Sequence, residues 1–207
     1  MPSTRPRSAC WRMPPPQRRP ARPCLDRLRL RRHRRQPLCA DATPNPLGVY
    51  GRTKLEGEKL AGDAALIVRT AWVYAPTGGN FVRTMLRAAR GPRRRDQIGT
   101  PTYARGLAAA LWTLAGKGVT GIHHYTDAGA ASWYDFAVAI QEEALAAGLL
   151  AHAVPVIPIA TADFPTPAKR PSYSVLDKAS TFAALGGPTP HWRTQLRTML
   201  SEIKTHG

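Results

Sequence analysis

Residues 49–74 read VYGRTKLEGEKLAGDAALIVRTAWVY. The charged and polar spacing of the first half predicts a helix from about Val49 to Gly62, where glycine stops it. The second half, AALIVRTAWVY at 64–74, is an apolar run rich in β-formers, long enough for a buried strand. A polar helix feeding a mostly apolar strand is the punctuation of an α/β chain whose sheet is covered by helices.

The surrounding text keeps that alternation. TPNPLG (43–48) is a turn leading into the helix. GGN (78–80) opens a second helix through Arg90, with Asn80 suited to its N-cap. TYARGLAAALWTLAGKG (102–118) is helical and GIHHYT (121–126) is a short strand. SWYDFAVAIQEEALAAG (132–148) is a helix in which Ser132 and Asp135 stand at capping-box spacing. VPVIPIA (154–160) is extended and interrupted by proline, so at best an edge strand. TPAKRPSYSVLD (166–177) reads as a loop, and a final helix covers roughly 189–205. His123 and His124 alternate on their strand as a half-buried pair, while Trp133 and Tyr134 sit among apolar residues at helical spacing and read as core. The fold class is α/β, with a largely parallel sheet.

Composition divides the chain near Ala40. The 207 residues carry a formal charge of +17, and residues 1–40 hold twelve Arg, no Lys and one acid, Asp26. They also hold all three cysteines and eight of the twenty prolines. Residues 1–40 are expected to be a disordered Arg/Pro-rich segment, and 41–207 the folded part. The cysteines show neither a CxxC pair nor metal-ligand spacing, so neither a disulfide framework nor a metal site is expected. No run reaches the roughly 20 apolar residues of a membrane helix, and the N-terminus lacks an apolar core of signal-peptide type. The expected location is cytoplasmic, without a membrane partner.

Chemistry enters at Tyr50 and Lys54. Four residues apart at the head of a helix, they share one face. A phenol titrating near about 10 is a poor acid–base group at neutral pH, and a neighbouring ammonium favours its ionised form. A tyrosine so placed can exchange a proton with a carbonyl or alcohol oxygen while hydride moves at the carbon. A lone YxxxK arises easily by chance and fits an exposed helix pair equally well.

The wider text selects between these readings. PNPLGVYGRTKLEGEK followed by ALIVRTAWVYAPTGGNFVRTML resembles the extended short-chain dehydrogenase/reductases, and within them the dTDP-4-dehydrorhamnose reductases. DQIGTPTYARGLA, GIHHYTDAGAASWYDFA, FPTPAKRPSYSVLD and PHWRTQLRTML fit the same family in the same order, so the resemblance covers about 41–207. It implies a partial Rossmann-like sheet with a small C-terminal substrate-binding subdomain. It implies reduction of the C4 keto group of dTDP-4-dehydro-L-rhamnose to dTDP-L-rhamnose, with NADPH or NADH as cofactor. Tyr50 is then the proton donor, and Lys54 holds the nicotinamide ribose and assists Tyr50. Trp72, Asn80, Phe81, Thr102 and Arg170 fall in segments lining the nucleotide-sugar side, and Arg170 carries the planar fork suited to a pyrophosphate. The residues alone leave plainer readings open: Trp72 as core, Asn80 as a helix cap, Thr102 as the cap of the next helix, Arg170 as a solvated loop charge. The resemblance implies a dTDP-sugar partner and admits a homodimer.

Part of the family pattern is missing. No glycine precedes Gly48, so the Gly-rich phosphate turn cannot be built from residues 1–40, and the family's STDYVFDG segment is not there either. The 21–39 stretch ARPCLDRLRLRRHRRQPLC accounts for the second loss. Synonymous codons exist which, read one nucleotide over, spell LVHVSTDYVFDG and then TADNPYA, the expected catalytic strand and loop. Residues before about Ala40 are therefore expected to be an out-of-frame translation, and activity to be impaired. ARGPRRRDQIG (89–99) departs from the pattern too, and leaves the placement of Gln97 open. Two other functional classes compete. A non-catalytic regulatory subunit would tolerate loss of the Tyr–Lys pair, which is retained. A nucleic-acid binder using the Arg-rich arm would show salt-dependent affinity, but the arm lacks interleaved aromatics, so no nucleic-acid partner is expected.

Overall fold

The computed structural model describes residues 21–26, 36–46, 48–87, 91–163 and 171–206. Three parallel strands form the main sheet in the order β1-β2-β7: β1 (Ala21–Asp26), β2 (Leu66–Thr70) and β7 (Gly121–His124). Central β2 is LIVRT, buried at every position, as a strand covered on both faces must be. Helix α1 (Val49–Ala61) precedes β2, and Gly62 ends it at φ +73°, donating its N–H to the Glu58 and Lys59 carbonyls. Within the N-terminal segment read as disordered, residues 21–26 form a strand, while 1–20 and 27–35 lie outside the described residues.

The 64–74 run is not one strand. It breaks at Ala71–Trp72 and resumes as β3 (Val73–Tyr74), which pairs in parallel with β6 (Thr102–Tyr103) away from the main sheet. The break is a bend: Trp72 has φ +51°, unique among non-glycine described residues. Apolar composition carries no sign of such a bend.

Helix α2 (Phe81–Arg87) follows, with residues 88–90 of its expected extent outside the described residues. The Arg-rich departure becomes β4 (Gly91–Arg94), paired in parallel with β9 (Val156–Ile159), so the proline-interrupted segment is an edge strand as its composition suggests. β5 (Ile98–Gly99) runs antiparallel to β8 (Ala131–Ser132). Helix α3 (Ala104–Gly116) begins two residues later than expected because Thr102–Tyr103 pair as strand. Helix α4 (Trp133–Ala146) starts at the foreseen capping box: Ser132 Oγ accepts from the Asp135 N–H, and Asp135 accepts from the Ser132 N–H. A further helix, α5 (Ala179–Leu185), lies between the 166–177 loop and the final helix, where no element was expected, and α6 (Trp192–His206) follows.

Besides a small cluster of Ala65 and Ile67 packed by Ala61 of α1, two cores divide the interior. One joins Leu66 and Val68 of β2 to Leu107, Ala110 and Leu114 of α3, with Tyr125. The larger begins at Ala71 and gathers Trp72, Tyr74, Met85, Tyr103, Phe136, Ile140, Trp192, Leu196 and Met199. The mixed α/β class is as expected.

Candidate active site

Helix α1 carries Tyr50 and Lys54 on one face, and the Lys54 ammonium stands 5.3 Å from the centre of the Tyr50 ring. Tyr50 is 55% exposed in the first turn. The chain reaches this point through a fitted turn: a Cβ at Gly51 would lie 2.9 Å from Pro46 Cβ, so glycine lets the TPNP segment pass close under the helix. The entering segment is stitched in place, Leu38 donating to the Val175 carbonyl and Asp177 donating to that of Leu38, both at 2.9 Å.

Ala61 of α1 packs against Ala65 and Ile67, and the deeper anchor to the sheet is polar. The helix's one buried residue is Glu58, on the face that carries Tyr50 and Lys54. Glu58 accepts two parallel hydrogen bonds from Arg69 of β2, Nε to Oε1 and Nη2 to Oε2, each 2.8 Å. Both side chains are about 5% exposed, and Arg69 Nη1 donates to the Ala40 carbonyl at 3.2 Å. A buried bidentate pair of this kind is strong in geometry and costly to break. Beside Arg69 in register on β7 lies His124, wholly buried. Burial first, and the Arg69 guanidinium second, push its imidazole down to about 4, so it is neutral. Its Nδ1–H donates to the Asp177 carbonyl at 3.1 Å. Sequence reading missed this group because charged residues are expected outside. The available signal was a single arginine inside an apolar strand, facing a helix with glutamate eight residues beyond Tyr50.

Past the carboxyl end of β2 the other candidates come together. Trp72 is 6% exposed and stacks on Trp133, ring centres 3.7 Å apart. Its ring crosses Gly99, where a Cβ would meet Trp72 Cε2 at 2.6 Å. Phe81 meets the same Trp133 edge-on at 4.7 Å. Asn80 caps α2: its Oδ1 accepts from the Arg83 N–H, and its Nδ2 donates to the Ala75 carbonyl at 2.8 Å. Thr102 is fully buried and donates its hydroxyl to the Ala71 carbonyl at 2.6 Å, while its N–H donates to the Trp72 carbonyl at 3.1 Å. Trp72, Asn80, Phe81 and Thr102 thus form one contiguous body, linked to α1 along β2 through Thr70, Arg69 and Glu58. Gln97 is buried and donates to the Thr161 hydroxyl at 3.0 Å. Arg170 lies outside the described residues.

Beneath α3 a second polar group is enclosed. Asp127 is buried, and its Oδ2 accepts from the Tyr103 N–H at 2.9 Å. Burial pushes its carboxyl up to about 7, against the opposing pull of the Tyr103 N–H, the Lys178 ammonium and the Gln195 amide. Lys178 donates to the Thr126 hydroxyl and the Asp127 carbonyl.

A solvent-facing phenol with an ammonium against its ring, standing on a helix locked to the sheet, can give a proton to a substrate oxygen. An ammonium and a phenol at the exposed head of a helix are also suited to hydrogen-bonding the hydroxyl groups of a ligand. Among the described residues there is no glycine turn of the type that cradles a pyrophosphate.

Comparison with known proteins gives the same outline. Residues 32–205 match the family described as the RmlD substrate binding domain. A dTDP-4-dehydrorhamnose reductase from Aggregatibacter actinomycetemcomitans is 40% identical over 168 residues, covering 75% of this chain and 57% of that protein. The crystal structure of a dTDP-4-dehydrorhamnose reductase from Clostridium acetobutylicum superposes with a TM-score of 0.77 at 34% identity, covering 86% of this chain and 64% of that one. The reductase from Bacillus anthracis, solved in complex with NADP, gives 0.75 at 30% identity, covering 84% and 62%. The chain spans less than two thirds of the length of each.

Proposed function

This chain belongs to the RmlD substrate binding domain family, and from that premise we propose that it is the sugar-nucleotide side and catalytic helix of an NAD(P)H-dependent reductase. Its reaction converts dTDP-4-dehydro-L-rhamnose to dTDP-L-rhamnose. The observation that carries this reading is the Tyr50–Lys54 contact on a helix anchored by Glu58 and Arg69. The Tyr50 phenol delivers a proton to the C4 oxygen as that oxygen gains charge. Lys54 stabilises the phenolate left behind and holds the ribose of the cofactor. When bound, the nicotinamide supplies the hydride. Trp72, Asn80, Phe81 and Thr102 shape the wall on the sugar side, Trp72 and Phe81 through Trp133 and the other two by fixing the backbone around them. Arg170 is assigned to the pyrophosphate by family resemblance.

The 207-residue chain binds NADP(H) poorly and turns over little, because no glycine precedes Gly48 to build a phosphate turn. Residues before about Ala40 are read as an out-of-frame translation, and the nucleotide sequence upstream of codon 41 tests this. A non-catalytic subunit with the same fold is the second reading, and retention of both Tyr50 and Lys54 weighs against it.

Titration of the purified chain with dTDP-L-rhamnose and with NADPH, followed by calorimetry, tests the division of labour. Measurable sugar-nucleotide binding with weak NADPH binding is expected, and brisk NADPH-dependent reduction of the keto sugar by the 207-residue chain would overturn the impairment. In a gene corrected by one nucleotide ahead of codon 41 and carrying a complete cofactor half, Tyr50→Phe is expected to lower kcat by about 10²–10⁴-fold. Little change in kcat there would remove Tyr50 from the chemistry.

A further inference from the structure

Lys54 stands midway between two possible partners on its own helix. Tyr50 lies four residues before it and Glu58 four residues after, and both spacings bring side chains within reach. A carboxylate offers an ammonium a charge-assisted hydrogen bond, which is stronger than a contact with a phenol ring. Left alone, Glu58 would draw Lys54 away from Tyr50. Its burial sharpens the pull, since a desolvated carboxylate without a partner is costly and seeks the nearest cation.

The structure shows why this capture does not occur. Both Glu58 oxygens are held by Arg69 in a fork of two 2.8 Å bonds, and the Lys54 ammonium lies over the Tyr50 ring. Arg69 is itself fixed from a third side by the Ala40 carbonyl. We propose that Arg69 is a positioning residue that sequesters Glu58, so that Lys54 stays on Tyr50. The consequence for catalysis rests on the reductase reading above; the sequestration itself does not. A lysine at position 69 could not do this equally well, because a point charge cannot hold two oxygens in a planar fork.

The test needs neither cofactor nor sugar. In the full chain labelled with ¹³C-lysine, the Lys54 ε-methylene signal, assigned by its loss in Lys54→Arg, is expected to be shifted upfield by the Tyr50 ring and to show cross-relaxation with the ring protons. Arg69→Met should abolish both signatures. Glu58→Gln alone should keep them. The double variant Glu58→Gln/Arg69→Met should restore them, because the competitor is gone. If the pair served only to fasten α1, the single Arg69 variant and the double variant would lose the signatures alike. That outcome sinks the proposal, as does an unchanged signal in Arg69→Met. Should Arg69→Met fail to fold, Arg69→Lys with and without Glu58→Gln gives the same comparison, with weakening in the first and recovery in the second. Since turnover is not read, a failure of the reductase assignment leaves this result standing, and the reverse is also true.

Discussion

Trp72 concentrates several constraints in one residue. Its backbone is left-handed at φ +51°, its ring is stacked on Trp133, and Gly99 lies beneath it. A left-handed bulky residue costs energy and persists only where its surroundings over-determine it. The glycine is part of that determination: an added Cβ would lie 2.6 Å from Trp72 Cε2 and 2.8 Å from Ser174 Oγ. Gly99→Ala is therefore expected to destabilise the protein by about 1–3 kcal/mol, with a lower urea midpoint and reduced near-ultraviolet tryptophan dichroism. Tyr50 and Lys54 were legible from spacing and motif. The posture of Trp72 was not, because RTAWVY contains no turn former, and the burial of Glu58 was not, because its partner lies on another element.

Elements follow sequence most closely where their signals are local. The Ser132–Asp135 box predicted where α4 begins, and both of its hydrogen bonds are present. Ser132→Ala should cost about 0.5–2 kcal/mol, read from the shift in denaturation midpoint. Between α4 and α6 the Glu143 side chain, 10% exposed, accepts from both Arg193 and Arg197, while the more exposed Arg193–Glu142 pair contributes much less. Strand pairing was less legible. GPRR at 91–94 has poor strand composition, yet it pairs with Val156–Ile159, so the partner's edge and not intrinsic preference sets its conformation. The late start of α3 has the same origin, since Thr102 and Tyr103 are claimed by β3.

At the scale of the whole molecule, two buried titratable groups oppose one another. Asp127 binds a proton more tightly folded than unfolded, about 7 against 3.8, so its contribution is present at low pH and lost as pH rises through about 7. His124 binds one less tightly, about 4 against 6.5, so its contribution is lost as pH falls from 6.5 through about 4. Between about 4 and 6.5 the two slopes offset. Asp127→Asn removes one of them. Relative to the unmodified chain, that variant should gain stability at pH 8 compared with pH 4.5, and its own stability should climb with pH across the histidine window. Urea midpoints at the two pH values check this, and parallel profiles for the two proteins would contradict it. The α/β class and the family order of motifs were legible because they are spread over many residues. The placement of residues 21–26 beside β2 was not, because ARPCLD has no strand pattern of its own.

The bend at Trp72 has a consequence for how the molecule opens. It is where β2 leaves the main sheet, and also where one core ends and the other begins: Leu66 and Val68 pack with α3, while Ala71 onward pack with α2, α4 and α6. A seam in packing is a seam in cooperativity. Amide hydrogen exchange should therefore resolve two classes of protection, with amides of β2, β7 and α3 opening together and those of α4 and α6 opening at a different free energy. A single shared opening energy for both sets would show instead that the chain unfolds across Trp72 as one unit.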